Sequence, residues 1–261
     1  MSKIKSHIES LNNSGRKALS IFLTAGFPKE NNFLDLAKYV LESGADMLEI
    51  GIPFSDSLAD GPIVQQSYHT ALQNGTTLEK TIRASEKLIK EFDKPIIFMG
   101  SANPIIKFGK ENFVKAAIDA KVSGVIIPDV PAEEYEDFFE DKFHELDTIL
   151  LTTPTSSEER IKTIDSKSRG FVYCVSVVGI TGVRNEFKED TLLNLERTYK
   201  TVTNNKMMVG FGISKHEDIK TFSPFCDGVI VGSAVIKSVM SDNNKFEATR
   251  ELIKRLSDAS K

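Results

Sequence analysis

Nowhere in the 261-residue sequence do eighteen apolar residues follow one another, so no segment reads as a membrane-spanning helix. The start of the chain also has no long apolar stretch of the secretory kind, and a cytoplasmic protein is the expectation. Cysteine is scarce. Cys174 and Cys226 stand alone in the apolar runs FVYCVSVV and SPFCDGVIVG, with no C-x-x-C spacing and no adjacent histidine, which favours reduced core thiols over a disulfide or a metal ligand set. The four histidines, His7, His69, His144 and His216, are dispersed through segments that read as helices and lack the H-x-x-x-H spacing of a helical zinc site. Lysine and arginine form no block, and the formal net charge is −4 with a pI near 5.7, so polyanion binding is disfavoured. There is no Ser/Gly-rich linker, low-complexity tract or break in composition, and one domain spanning residues 1–261 is expected.

What the chain does contain is a regular alternation of short β-branched runs with longer amphipathic stretches, the pattern of repeated βα units around buried parallel strands. Eight strands are predicted at 18–24, 46–50, 95–99, 124–127, 148–152, 171–175, 207–210 and 228–231. Helices are predicted between them at 32–43, 77–92, 111–120, 133–145, 157–166, 190–203 and 215–221, and the segment after Val231 supplies the last. Ile4, Ile8 and Leu11 share one face at helical spacing, which adds a helix over 2–13 packed under the sheet. An open doubly wound sheet is the competing architecture. Eight units and the absence of G-x-G-x-x-G after the first strand favour an α/β fold closed as a (β/α)8 TIM barrel with an extra N-terminal helix. Two connections, 51–65 and 176–189, are long for βα loops and would lie at the catalytic face of such a barrel.

The segment MLEIGIPFSDSLADGPIVQQ carries the clearest chemistry. Glu49 closes the second strand and points into the barrel mouth if Leu48 and Ile50 face the helices. Desolvation there would favour its neutral form and allow proton exchange near neutral pH; a structural carboxylate bonded to a loop N–H is the alternative. Asp56 and Asp60 sit beside Ser, Pro and Gly, so each fits turn chemistry, and Asp60 could instead cap a helix beginning near Pro62. Glycines follow strands six, seven and eight in GITG (179–182), GFGIS (210–214) and VGSA (231–234). On adjacent loops they would let backbone N–H groups close on a phosphate, helped by the positive end of a following helix.

The segments LTAGFP, LEIGIPFSDSLADGP, PDVPAEE, GITGVR, GFGIS and GSA occur in the order and spacing of the tryptophan synthase alpha subunits, and nearly the whole chain resembles that family. The resemblance implies a metal- and cofactor-independent barrel lyase that splits indole-3-glycerol phosphate by a retro-aldol step into indole and glyceraldehyde 3-phosphate. It assigns Glu49 as the acid/base that serves indole C3 and the glycerol 3'-hydroxyl, and Asp60 as the carboxylate that holds the indole N–H. It further assigns Phe22 and Tyr173 to the wall of the indole pocket and Thr181 as a hydroxyl that holds Asp60 when loops two and six close. Gly182, Gly212, Gly232 and Ser233 fall at the phosphate positions. A pyridoxal-phosphate-dependent beta subunit is the implied partner, in an alpha2beta2 complex, met through the region of Asp56 and the turn at 128–131. The chain departs from the usual pattern at Gly100 and Ser101, where tyrosine is common, and at Ser57, where proline is common. Two readings outside this one are a subunit that only activates its partner and a phosphosugar isomerase sharing the phosphate loops.

Overall fold

The computed structural model describes residues 2–139, 141–176, 189–210, 212–243 and 245–261. The expected eight strands form, as β1 (Ala18–Thr24), β2 (Met47–Gly51), β3 (Ile96–Met99), β4 (Gly124–Ile126), β5, β6 (Phe171–Val175), β7 (Lys206–Gly210) and β8 (Gly228–Val231). All neighbouring strands are parallel, and β1 pairs with both β2 and β8. β5 differs from the single run expected at 148–152. Its first piece, Asp147–Ile149, pairs with β4 and its second, Leu151–Thr152, pairs with β6. Between them the Leu150 N–H is taken by the Ser168 hydroxyl at 3.3 Å while its carbonyl accepts from Tyr173 N at 3.0 Å. The ladder is thus handed from one neighbour to the other across one residue, and the sheet closes into a (β/α)8 barrel.

Every residue of β1, β2 and β3 is buried, as expected for parallel strands covered on both faces. Alternation then sorts the side chains, with Leu19, Ile21 and Leu23 on the opposite face from Ser20, Phe22 and Thr24. Outside the strands the helices bury apolar stripes, as in Leu78–Glu91, which buries Leu78, Ile82 and Leu88 and caps its N-terminus with Thr77. The predicted N-terminal helix forms over Lys3–Asn13 and buries Ile4 and Ile8 completely. Ile4 fits against Gly124 at the start of β4 and against Gly170 just before β6, where a Cβ would lie 2.9 Å and 3.3 Å from it. Ser2 caps that helix and donates to the Asp147 carboxylate, so the base of the barrel is plugged by the beginning of the chain.

Three expectations need correction. The single helix at 133–145 is instead a turn at Ala132–Glu134, a short helix Tyr135–Phe139 and a second turn at Asp141–Glu145. A cluster of rings holds it, with Phe139 centred 5.0 Å from Tyr135 and 5.1 Å from Phe143, and this packing overrides helix propensity. The segment after β8 is two helices, Ser233–Ser241 and Glu247–Ala259. They are divided where the Asp242 carboxylate accepts from Asn243 N and Thr249 N and Phe246 turns left-handed at φ 53°. Finally, Pro62–Gln73 and Ala102–Phe108 are additional helices following β2 and β3. Among the described residues no helix is long and apolar enough to cross a membrane.

Candidate active site

β2 delivers Glu49 to the mouth of the barrel opposite Phe22 of β1, its partner in register. The carboxyl group is fully buried. One oxygen accepts from the Ser20 hydroxyl at 2.8 Å and the other, Oε2, has no partner among the described residues. Burial pushes its pKa up to about 7, a rise that the Ser20 bond only partly offsets. The alternative of a carboxylate tied to a loop N–H is therefore not what forms. A half-bonded acid poised near neutrality in an apolar chamber is a proton-transfer group in waiting.

Asp60 reaches the same chamber from loop two. Its backbone does make the expected turn, Asp60 N donating to the Ser57 carbonyl at 3.2 Å, but its side chain does not cap the following helix. Gly61 is the N-cap of Pro62–Gln73, with Pro62 at the first helical position, where its missing N–H costs nothing. The Asp60 carboxyl sits half-buried at the rim, and desolvation raises its pKa to about 6 against the counter-effect of the Ser57 hydroxyl, with a further push from Asp129. The two acids thus differ in the expected direction, Glu49 holding its proton more tightly.

Glu49, Asp60, Phe22, Tyr173, Gly212, Gly232 and Ser233 all line one cavity of about 320 Å³. Thr181 and Gly182 lie outside the described residues. Glycines at the strand ends make room for the ring walls. A Cβ on Gly51 would lie 2.5 Å from the Phe22 ring, and one on Gly210 would lie 2.1 Å from the Tyr173 hydroxyl. Both rings line the cavity, so a Cβ at either glycine would crowd its wall. Gly210→Ala is accordingly expected to raise KM for substrate about tenfold and to cost about 1–3 kcal/mol of stability, readable from steady-state kinetics and a urea midpoint.

In the same cavity, Gly232 is the N-cap of the helix Ser233–Ser241 and supplies no side-chain cap, so the first N–H groups of that helix remain open to a ligand. Gly212 adopts φ +82°, a conformation glycine takes without penalty. Just beyond it the Asp218 carboxylate occupies Ser214 N at 2.8 Å and Lys215 N at 3.0 Å. That lock fixes the backbone at Ser214 and Lys215, and Gly212 lines the cavity.

Sequence reasoning missed Ser20, whose signal was its position two residues before Phe22 on the inward face, and Tyr68. The latter is buried, crosses the Phe22 ring edge-on with centroids 6.4 Å apart, and has a hydroxyl without a partner among the described residues. It also missed Met99 and Lys237, both of which line the cavity. Gly100 does not line it: Ile52 fills the space above that glycine, 2.9 Å from where a Cβ would stand. The four histidines lie outside the cavity as well.

Closed barrel, buried acid on β2 and an open helix terminus lining one chamber define a (β/α)8-barrel enzyme whose chemistry takes place at the mouth. The model of the tryptophan synthase alpha chain family matches residues 8–260. The tryptophan synthase alpha chain of Thermoanaerobacter pseudethanolicus is 41% identical over 257 residues, covering 97% of this chain and 96% of the relative. That of Bacillus cereus is 40% identical over 253 residues, with 96% and 95% covered. Among solved structures, tryptophan synthase from Mycobacterium tuberculosis superposes with a TM-score of 0.91 at 28% identity, covering 99% of this chain and 98% of that one. The alpha subunit from Legionella pneumophila superposes with a TM-score of 0.88 at 32% identity, with 99% and 98% covered. The chain belongs to the tryptophan synthase alpha chain family. It is accordingly a carbon–carbon lyase of tryptophan biosynthesis that cleaves indole-3-glycerol phosphate to indole and glyceraldehyde 3-phosphate, which sets aside the isomerase reading.

Proposed function

We propose that Glu49 carries the proton transfers of this cleavage and that Asp60 holds the charge the indole ring acquires. Glu49, protonated, gives its proton to indole C3, which places positive charge on the ring nitrogen. The Asp60 carboxylate accepts the N–H and stabilises that charge. The ionised Glu49 then removes the proton of the glycerol 3'-hydroxyl as the carbon–carbon bond breaks. Its electrons return to the indole ring and the aldehyde forms, leaving Glu49 protonated as at the outset. The observation that carries this assignment is the unpartnered Glu49 oxygen in a cavity shared with Asp60.

Phe22 and Tyr173 serve as the flat apolar walls for the heterocycle, a role suited to their aromatic faces. Gly212, Gly232 and Ser233 serve the phosphate, and the family resemblance adds Gly182 to that role and Thr181 as the partner of Asp60. We assign the whole of residues 1–261 to one barrel domain working without a cofactor of its own in the cytoplasm.

The expected pH dependence follows from the two acids. Asp60 must be ionised, so kcat/KM for indole release falls as pH drops through about 6, while Glu49 must begin protonated, so kcat/KM also falls as pH rises through about 7. A narrow bell from an indole-release assay on the full chain is the expected result; a profile flat from pH 5 to 9, roughly the span bracketing both groups, would remove both roles.

A pyridoxal-phosphate-dependent beta subunit is the proposed partner, receiving indole in an alpha2beta2 assembly. Loop two supports this. Leu58 is 93% exposed at its tip, an apolar side chain of a kind that gains from being covered. Ile106, 55% exposed, stands in the helix whose Ala102 N is held by Asp129 of the 128–131 turn, so both apolar residues flank the expected docking segments.

A further inference from the structure

The donors so far assigned to the phosphate are neutral: backbone N–H groups and one hydroxyl. A phosphate ester carries roughly −1.5 to −2 charge near neutral pH, and the cavity that must receive it already holds the carboxyls of Glu49 and Asp60. Charge balance therefore calls for a cation within reach. Among the described residues lining the cavity, Lys237 is the cationic side chain. It lies one helical turn after Ser233, on the same face of Ser233–Ser241. Side chains on a helix lean toward its N-terminus, which directs the lysine stem back to the anion-binding end. No carboxylate among the described residues forms an ion pair with it, whereas other helix lysines such as Lys90 and Lys200 are bridged by a glutamate four residues earlier.

We infer that Lys237 is the counter-charge for the substrate's phosphate, a positioning residue that makes the site select dianionic phosphate esters. The inference rests on the phosphate reading of Gly212, Gly232 and Ser233. On the helix that begins at Ser233, Lys237 would act on the binding of the three-carbon phosphate and not on the indole half.

The test uses the full chain in the reverse direction, condensing indole with glyceraldehyde 3-phosphate. Lys237→Ala is expected to raise KM for glyceraldehyde 3-phosphate about tenfold and to weaken inhibition by inorganic phosphate by a similar factor, the size of one partly solvated charge pair. KM for indole and kcat should stay within about twofold, since uniform binding is what is lost. Lys237→Arg should restore the affinity. The wild-type KM should improve as pH rises through the second phosphate ionisation, near pH 6, and this gain should be smaller in Lys237→Ala, where only the helix terminus favours the dianion. Ser233→Asp provides the separate check, because an added carboxylate at the helix terminus should repel phosphate esters whatever Lys237 does. If Ser233→Asp raises KM for the phosphate substrate and Lys237→Ala does not, the inference fails and the phosphate site stands. If neither variant raises it, the phosphate site itself fails. A parallel rise in the KM for indole in Lys237→Ala would also overturn the inference.

Discussion

Glu49→Gln is expected to lower the rate of indole release by roughly 10²- to 10⁴-fold, the range for removing a positioned proton carrier. Glutamine keeps the size of the side chain and can still meet the Ser20 hydroxyl, so the cavity and its affinity for phosphate ligands should be nearly unchanged. Retained turnover would end the assignment. The same variant carries a second expected result of opposite sign. Folding raises the Glu49 pKa from 4.5 to about 7, so the native state binds a proton that the unfolded chain has released over that interval. Stability contributed at this site is therefore present below about pH 4.5, declines as pH rises and is fully lost above about 7, a cost of about 3 kcal/mol. Glu49→Gln should be more stable than wild type at pH 8, roughly a unit above the raised pKa, and should lose that advantage near pH 4, compared by urea midpoints. An acid that costs stability where the enzyme works is retained for what it does.

Asp60→Asn should be nearly as damaging, with kcat down by about 10²- to 10³-fold, the usual loss when a group facing transition-state charge is neutralised. The substitution is chosen because asparagine is an equally good turn residue. The backbone bond from residue 60 to the Ser57 carbonyl and the Gly61-capped helix that follows do not depend on the lost charge. By the same linkage, stability above about pH 6 should not fall and should rise modestly, because folding raises the Asp60 pKa from 3.8 to about 6 and the ionised carboxyl is lost. Full activity in Asp60→Asn would reduce Asp60 to its place in the turn, and single-turnover measurement of the cleavage step separates that outcome from slow product release.

The barrel was legible in the sequence because buried parallel strands announce themselves as short apolar runs at steady spacing. β1, β6 and β8 fall on the residues expected, and the other strands shift by a residue or so at their ends. What escaped was structure set by contacts distant in sequence. The division of β5 depends on Ser168 reaching Leu150, and the broken helix after β4 depends on aromatic rings meeting in three dimensions. At the site, Glu49 could be picked out because a lone acid ending an apolar strand is conspicuous. Asp60 could not be separated from an ordinary turn aspartate by composition, and it is the cavity that joins it to Glu49. Ser20 and Tyr68 carried no motif. Their importance lies in partners on other elements, Glu49 of β2 for Ser20 and Phe22 of β1 for Tyr68, which no local pattern encodes.

The plug formed by Ser2 and Ile4 has a consequence for how this molecule can change over time. Ile4 seals the pole opposite the reaction chamber by nesting on two glycines, with the Asp147 carboxylate clasping the serine. Durability and chemistry are consequently housed at opposite ends of one cylinder. Substitutions at the sealed pole can lengthen or shorten the life of the folded chain while the acids at the open pole keep their surroundings, so adaptation to a hotter or colder setting need not disturb the reaction.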